Sequence, residues 1–183
     1  TTAKVPSNHD DLISVIGAGL QYLARERGED VPTLLTSIEL ISHGTTIATN
    51  ALIQHKLAKV GMITTAGFRD ILEMREGLKE SRYDYSDPPP HPLVPRRLRL
   101  SVRERMDKDG DELKPLHQGD ITDAIETFTK QGVEAIAVCF LWSIVNPDHE
   151  QQAKQMLAAA MPEIPVYLSS TVSPQFREYP RFS

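Results

Sequence analysis

The side chains best suited to chemistry lie in one short stretch: His43, Gly44, Thr45, Thr46, Thr49 and Asn50. The run Ile38-Glu39-Leu40-Ile41 precedes them and an apolar helical pattern follows, so the order predicts strand, tight turn and helix N-terminus. The first turn of a helix leaves backbone N–H groups without partners and carries the positive end of the dipole. Gly44 lets the backbone come close to a ligand, so a phosphate or carboxylate could be held there without a lysine. Thr45, Thr46, Thr49 and Asn50 are spaced three and four residues apart, which puts several polar groups on one helical face. His43, at the strand end, could bond a ligand or serve as general acid or base. The same residues also suit a plain N-cap at Ser42 or Thr45, with His43 bonded to a loop carbonyl.

A second candidate is the tail Arg177-Glu178-Tyr179-Pro180-Arg181, where Arg177 and Arg181 could clamp an anionic substrate. A solvated surface run would look the same. The histidines at 9, 43, 55, 91, 117 and 149 form no His-x-x-x-His pair and no cluster with carboxylates, so no metal site is expected. Asp107-Lys108-Asp109-Gly110 lacks the later ligands of a calcium loop. The lone Cys139 excludes an internal disulfide and sits in the apolar run 135–141, as a small buried hydrophobe would.

These residues need elements to position them. With 183 residues, 40% hydrophobic and 25% charged, the chain can bury a real core. A net charge of −5 argues against nucleic-acid binding, and no apolar stretch approaches membrane-spanning length. A cytoplasmic protein is expected.

A helix capped by Asn8 or Asp10 should run to Arg27 and stop at Gly28. Strand 37–42 should feed the helix that ends near Gln54, followed by strand 60–65 and a helical turn through Met74. Residues 97–106 and 112–116 read as a β-hairpin, with Arg97, Arg99, Arg103 and Arg105 on its outer face. Helices are expected over 120–131 and 148–160, the latter started by Asn146-Pro147, and strands over 133–142 and 166–169. The alternation indicates an α/β layer. Three parts follow: an α/β lobe over 1–86, a proline-rich connection over 87–96, and a second α/β lobe over 97–183.

His43 through Leu52, followed by Val60 through Asp70, resembles the N-terminal region of the hydantoinase A/5-oxoprolinase family. The similarity continues through Pro92-Leu93-Val94-Pro95-Arg96, Val102-Arg103-Glu104-Arg105, residues 132–141, Asn146-Pro147-Asp148-His149-Glu150 and Arg177-Glu178-Tyr179. It covers nearly the whole chain in order.

The resemblance implies part of an actin/hexokinase-like (ribonuclease H-like) ATPase fold that uses ATP and Mg²⁺. It also implies a fragment that lacks the first phosphate-loop hairpin and the adenosine-binding half, inactive in ATP turnover by itself. The implied activity is ATP-dependent hydrolysis of a cyclic amide, activated by phosphoryl transfer to its carbonyl, alongside a hydantoinase B-like subunit in a hetero-oligomer. The resemblance equally admits the ATP-binding subunit of an acetone- or acetophenone-type carboxylase, and loss of the phosphate loop admits a non-catalytic assembly domain. It favours His43, Thr45, Thr46 and Asn50 as catalytic and Gly44 as phosphate-binding. Pro180 stands where relatives carry an acidic residue, which weakens a catalytic role for that tail.

Overall fold

The computed structural model describes residues 2–6, 11–42, 44–77, 86 and 91–183. Asn8, Asp10, His43 and residues 87–90 lie outside that set; the helix cap expected at Asn8 or Asp10 falls instead at Asp11. Two compact units divide the chain, Thr1–Gln54 and His55–Ser183.

The first unit carries helices. Helix α1 (Leu12–Arg27) begins where the Asp11 carboxylate accepts the Ser14 N–H at 3.0 Å. It ends at Gly28, whose φ of +69° lets its N–H reach the carbonyls of Ala24 and Arg25. Helix α2 (Val31–Thr36) is opened by Asp30, which accepts the Thr33 N–H, with Pro32 in the first turn where no N–H is needed. Its last turn closes through Ser37, and the strand expected over 37–42 does not form. A strand is stable only against a hydrogen-bonded neighbour, and the described residues of this unit contain no other strand. Leu40 and Ile41 consequently stand 83% and 67% exposed. Helix α3 (Ile47–Ile53) follows, at the place the sequence indicated.

The second unit is built on parallel strands. In chain order it comprises β1 (Val60–Thr65), α4 (Ile71–Met74), β2 (Arg99–Val102), β3 (Arg105–Met106) and β4 (Glu112–Lys114). Then come α5 (Gln118–Gln131), β5 (Ala135–Cys139), α6 (Asp148–Ala160), β6 (Val166–Leu168), α7 (Ser169–Val172) and α8 (Glu178–Phe182). The main sheet has the order β2-β1-β5-β6, all neighbours parallel, while β3 and β4 form a separate antiparallel pair. Ile63, Leu98, Val102, Ile121, Phe128, Ile136, Val138 and Leu157 make the fully buried core.

Two expectations are corrected here. The long hairpin is cut short: β2 leaves it and pairs in parallel with β1, placing Arg99 beside Met62. Arg99 is therefore buried instead of outward, its guanidinium paired with Glu73 and donating to the Arg69 carbonyl at 3.1 Å. A buried guanidinium is tolerated because α4 supplies a carboxylate and the turn before it a carbonyl to receive it. The lobe boundary drawn at 87–96 also differs from the observed division after Gln54, because β1 and β2, on either side of that stretch, are neighbours in one sheet.

Close approach fixes one glycine. A Cβ on Gly61 would lie 2.6 Å from the buried Phe128 ring of α5. Gly61→Ala should therefore cost about 1–3 kcal/mol by overpacking, and Phe128→Leu in the same chain should recover part of it. Urea unfolding of the two variants checks this; an unchanged midpoint for Gly61→Ala would contradict the packing.

Asp120 joins α5 to the end of β2. It accepts the Arg103 backbone N–H at 2.8 Å and pairs with the Arg103 guanidinium at 2.6 Å. The Arg103 hydrogen bond, above all, holds its carboxyl well below the usual carboxylate range. A carboxyl lowered in the folded state stabilises above its unfolded value, near 3.9, and loses that contribution as pH falls toward its folded value. The stability gap between the parent and Asp120→Asn should hold constant near neutrality and narrow steadily below about pH 4. Urea midpoints across that range give the readout, and a gap independent of pH would contradict it.

Candidate functional site

The described residues of the polar stretch that the sequence singled out lie at an exposed helix start. Gly44, Thr45, Thr46, Thr49 and Asn50 are all exposed. The Thr45 hydroxyl accepts the Ile47 N–H at 3.2 Å, and the Asn50 amide donates to the Thr46 hydroxyl at 3.3 Å. Thr46 occupies the N-cap of α3 without a side-chain capping bond. Two hydroxyls and one carboxamide thus converge on the open start of a helix, while the strand meant to lead into it is absent.

The two tail arginines part company. Arg177 is exposed and meets Glu76 at 3.3 Å. Arg181 is buried and its donors are spent internally: Nε on the Ser169 hydroxyl at 3.2 Å, and Nη1 and Nη2 on the carbonyls of Gln175 and Phe140, each at 3.1 Å. Arg181 is a clamp on the chain end of β5 and leaves no donor fork for an external anion. Cys139 is buried as expected, and burial pushes its thiol far up, out of the range of a nucleophile.

Sequence reading missed the buried polar system at the carboxyl ends of the sheet strands. Consecutive residues in the first turn of α6 reach in different directions. His149 Nδ1 lies 2.8 Å from Glu104, just beyond β2, and its Nε2 lies 2.9 Å from Glu112 on β4. Glu104 also receives the Thr65 hydroxyl at the end of β1, and the Thr65 oxygen accepts the Leu141 N–H at 3.0 Å.

Glu150 accepts the Phe140 N–H at 3.0 Å and the Ser169 hydroxyl at 2.7 Å on one oxygen. Its other oxygen takes the Ser170 N–H at 3.0 Å and the Ser170 hydroxyl at 2.6 Å. Glu104, His149 and Glu150 are at most 2% exposed. The available signal was an acidic-histidine pair one residue inside a proline-started helix, which reads equally as a solvated helix start. Chemically, the system can hold protons and fix loops; among the described residues, no cluster of three histidine, cysteine or acidic side chains could hold a metal ion.

Comparison with known proteins identifies the scaffold. Residues 1–161 match the hydantoinase/oxoprolinase N-terminal region. The chain is 43% identical over 98% of its length to caprolactamase subunit alpha of Pseudomonas jessenii, covering 26% of that protein. It is 31% identical, over 98% of its length and 26% of the relative's, to the acetophenone carboxylase gamma subunit of Aromatoleum aromaticum. It is also 26% identical to 5-oxoprolinase 1 of Arabidopsis thaliana, over 96% of this chain and 15% of that one.

The crystal structure of the ATP-dependent caprolactamase of Pseudomonas jessenii superposes with a TM-score of 0.81, at 43% identity over 96% of this chain and 26% of that one. A nucleotide-free acetone carboxylase structure shares the fold, with a TM-score of 0.86 at 24% identity over 95% of this chain and 26% of that one. The mixed α/β architecture with a parallel sheet is thus the one expected of an actin-like fragment. The chain spans about a quarter of these two curated relatives, which are named as subunits of ATP-dependent or carboxylating enzymes. On its sequence match along 161 residues, the chain belongs to the hydantoinase/oxoprolinase family, in its N-terminal region.

Proposed function

We propose that the complete subunit is an ATP-dependent amidohydrolase that activates a cyclic-amide carbonyl by phosphoryl transfer before ring opening. The observation that carries this reading is the 43% identity to a caprolactamase subunit over 98% of the chain, against 31% to a carboxylase subunit over the same share. An amide carbon is a poor electrophile. Moving the γ-phosphoryl group of ATP onto the carbonyl oxygen releases ADP and turns that oxygen into a leaving group. Water then adds at carbon, the ring C–N bond breaks as the nitrogen takes up a proton, and a second water cleaves the resulting acyl phosphate to carboxylate and phosphate.

Such transfer depends on positioning and on neutralising phosphate charge. The amides and hydroxyls of Gly44, Thr45 and Thr46 suit that task, with Asn50 fixing Thr46, and with Thr49 one turn along; Arg177, in the second unit, is a separate candidate anion contact. His43 orients or protonates the substrate in this scheme. Mg²⁺, bound with ATP, would neutralise phosphate charge; its protein ligands are not a cluster among the described residues. A hydantoinase B-like partner and a cytoplasmic location belong to the same proposal.

The resemblance to the acetophenone carboxylase gamma subunit keeps a second reading in play: an ATP-driven ketone carboxylase that shares the phosphoryl-transfer step. The complete subunit with its partner should release ADP in response to lactams, hydantoins or 5-oxoproline with no need for bicarbonate. Turnover that requires a ketone and bicarbonate would replace the first reading with the second, and turnover with neither would leave an assembly domain. His43→Ala should lower kcat by about 10²–10³-fold, the scale of losing one preorganised polar contact; unchanged turnover would remove His43 from the mechanism.

A further inference from the structure

We propose that Glu104, His149 and Glu112 form a proton-held latch that fastens the β3–β4 hairpin to the carboxyl ends of the parallel sheet. The ring of His149 sits between two carboxylates, Nδ1 at 2.8 Å from Glu104 and Nε2 at 2.9 Å from Glu112. A neutral imidazole has one N–H and one lone pair. Whichever tautomer it adopts, it presents that lone pair to one carboxylate, where two acceptors oppose each other. Both contacts are attractive together only when the trio holds one proton more than a neutral ring and two carboxylates possess.

The surroundings leave no other way to satisfy the ring. The second oxygen of Glu104 is taken by the Thr65 hydroxyl, whose own oxygen is occupied by the Leu141 N–H. Glu150, next in sequence, turns to Phe140, Ser169 and Ser170. Among the described residues no other charged side chain is hydrogen-bonded or ion-paired to the ring. Arg105 on β3 lies over Phe68, Lys130 on α5 pairs with Glu126, and the packed strands β5 and β6 offer only Cys139 and the exposed Tyr167.

The latch has one dry side and one wet side. The Glu104 side chain is fully buried, whereas that of Glu112 is 50% exposed. When the shared proton leaves, the contact on the wet side gives way first, because water can solvate Glu112 and not Glu104. The hairpin is short, with β3 spanning two residues and β4 three; β3 is also anchored by the buried Met106 and the turn by the Asn146 amide, which donates to the Gly110 carbonyl at 2.9 Å, whereas the exposed β4 arm meets the sheet end through Glu112. Loss of one proton therefore loosens the β4 arm of the hairpin, and with it the pairing of β3 and β4, without opening the sheet. The latch operates whichever reaction the complete subunit performs, so it stands or falls independently of the proposed amidohydrolase activity.

The test is hydrogen exchange of the complete subunit, read by mass spectrometry from about pH 6 to about pH 9 and corrected for intrinsic rates. Peptides covering 105–114 should lose roughly tenfold or more of their protection as pH rises, while those covering β1 and β5 keep theirs. Glu112→Gln supplies the control. Its carboxamide can donate to the ring lone pair, so both contacts form with a neutral ring and the hairpin should stay protected throughout. Protection of the parent hairpin that is flat over the range, or that falls equally in Glu112→Gln, would overturn the latch.

Discussion

One turn of helix holds the carboxyl end of the second unit's sheet together. A parallel sheet emits its loops from the carboxyl ends of its strands, and those ends have no ladder of their own beyond the last pair. Here the first turn of α6 ties them. Glu150 binds the ends of β5 and β6, and His149 reaches Glu104 beyond β2 and through it Thr65 on β1. Glu150 is fully buried with four hydrogen bonds on its two oxygens, so the cost of desolvating a carboxylate is offset by donors placed in advance. Arg181 closes the same region from the other side by donating to the Phe140 carbonyl and the Ser169 hydroxyl.

The elements legible in the sequence are those specified locally. Helices α1 and α5 end at Gly28 and Gly132, which take φ of +69° and +60°, and glycine after an apolar helical pattern announces such a stop. Strands β1 and β5 are short apolar runs between turns and fall within the expected spans. What failed was pairing at a distance. Residues 38–42 have a strand composition but no neighbour in their unit, and composition cannot supply one. The stretch 97–106 looked like one arm of a hairpin because alternating arginines mimic a solvated face. Only the contact of β2 with β1, and the carboxylate of Glu73 waiting for Arg99, explain why that arginine is buried.

The candidate site divides along the same line. Thr45, Thr46 and Asn50 come together because helical spacing brings them together, which sequence alone can state. His149, Glu150 and Glu104 were invisible as a group: they are separated by 45 residues or lie on an apparently ordinary helix start, and the sheet brings them together. Arg181 illustrates the converse, since an arginine beside a carboxylate near a chain's end reads as surface until its donors are counted.

The most direct test of this tie is residue-level hydrogen exchange of the complete subunit carrying Glu150→Gln. An amide nitrogen in place of one carboxylate oxygen must face donors, leaving at least one backbone N–H without an acceptor. The account predicts that protection falls by about tenfold or more at whichever of Phe140 and Ser170 faces the new NH2 group, with the centre of β1 unaffected. Unchanged protection at both residues would show that the strand ends hold without the helix, and the description of α6 as their fastening would be wrong.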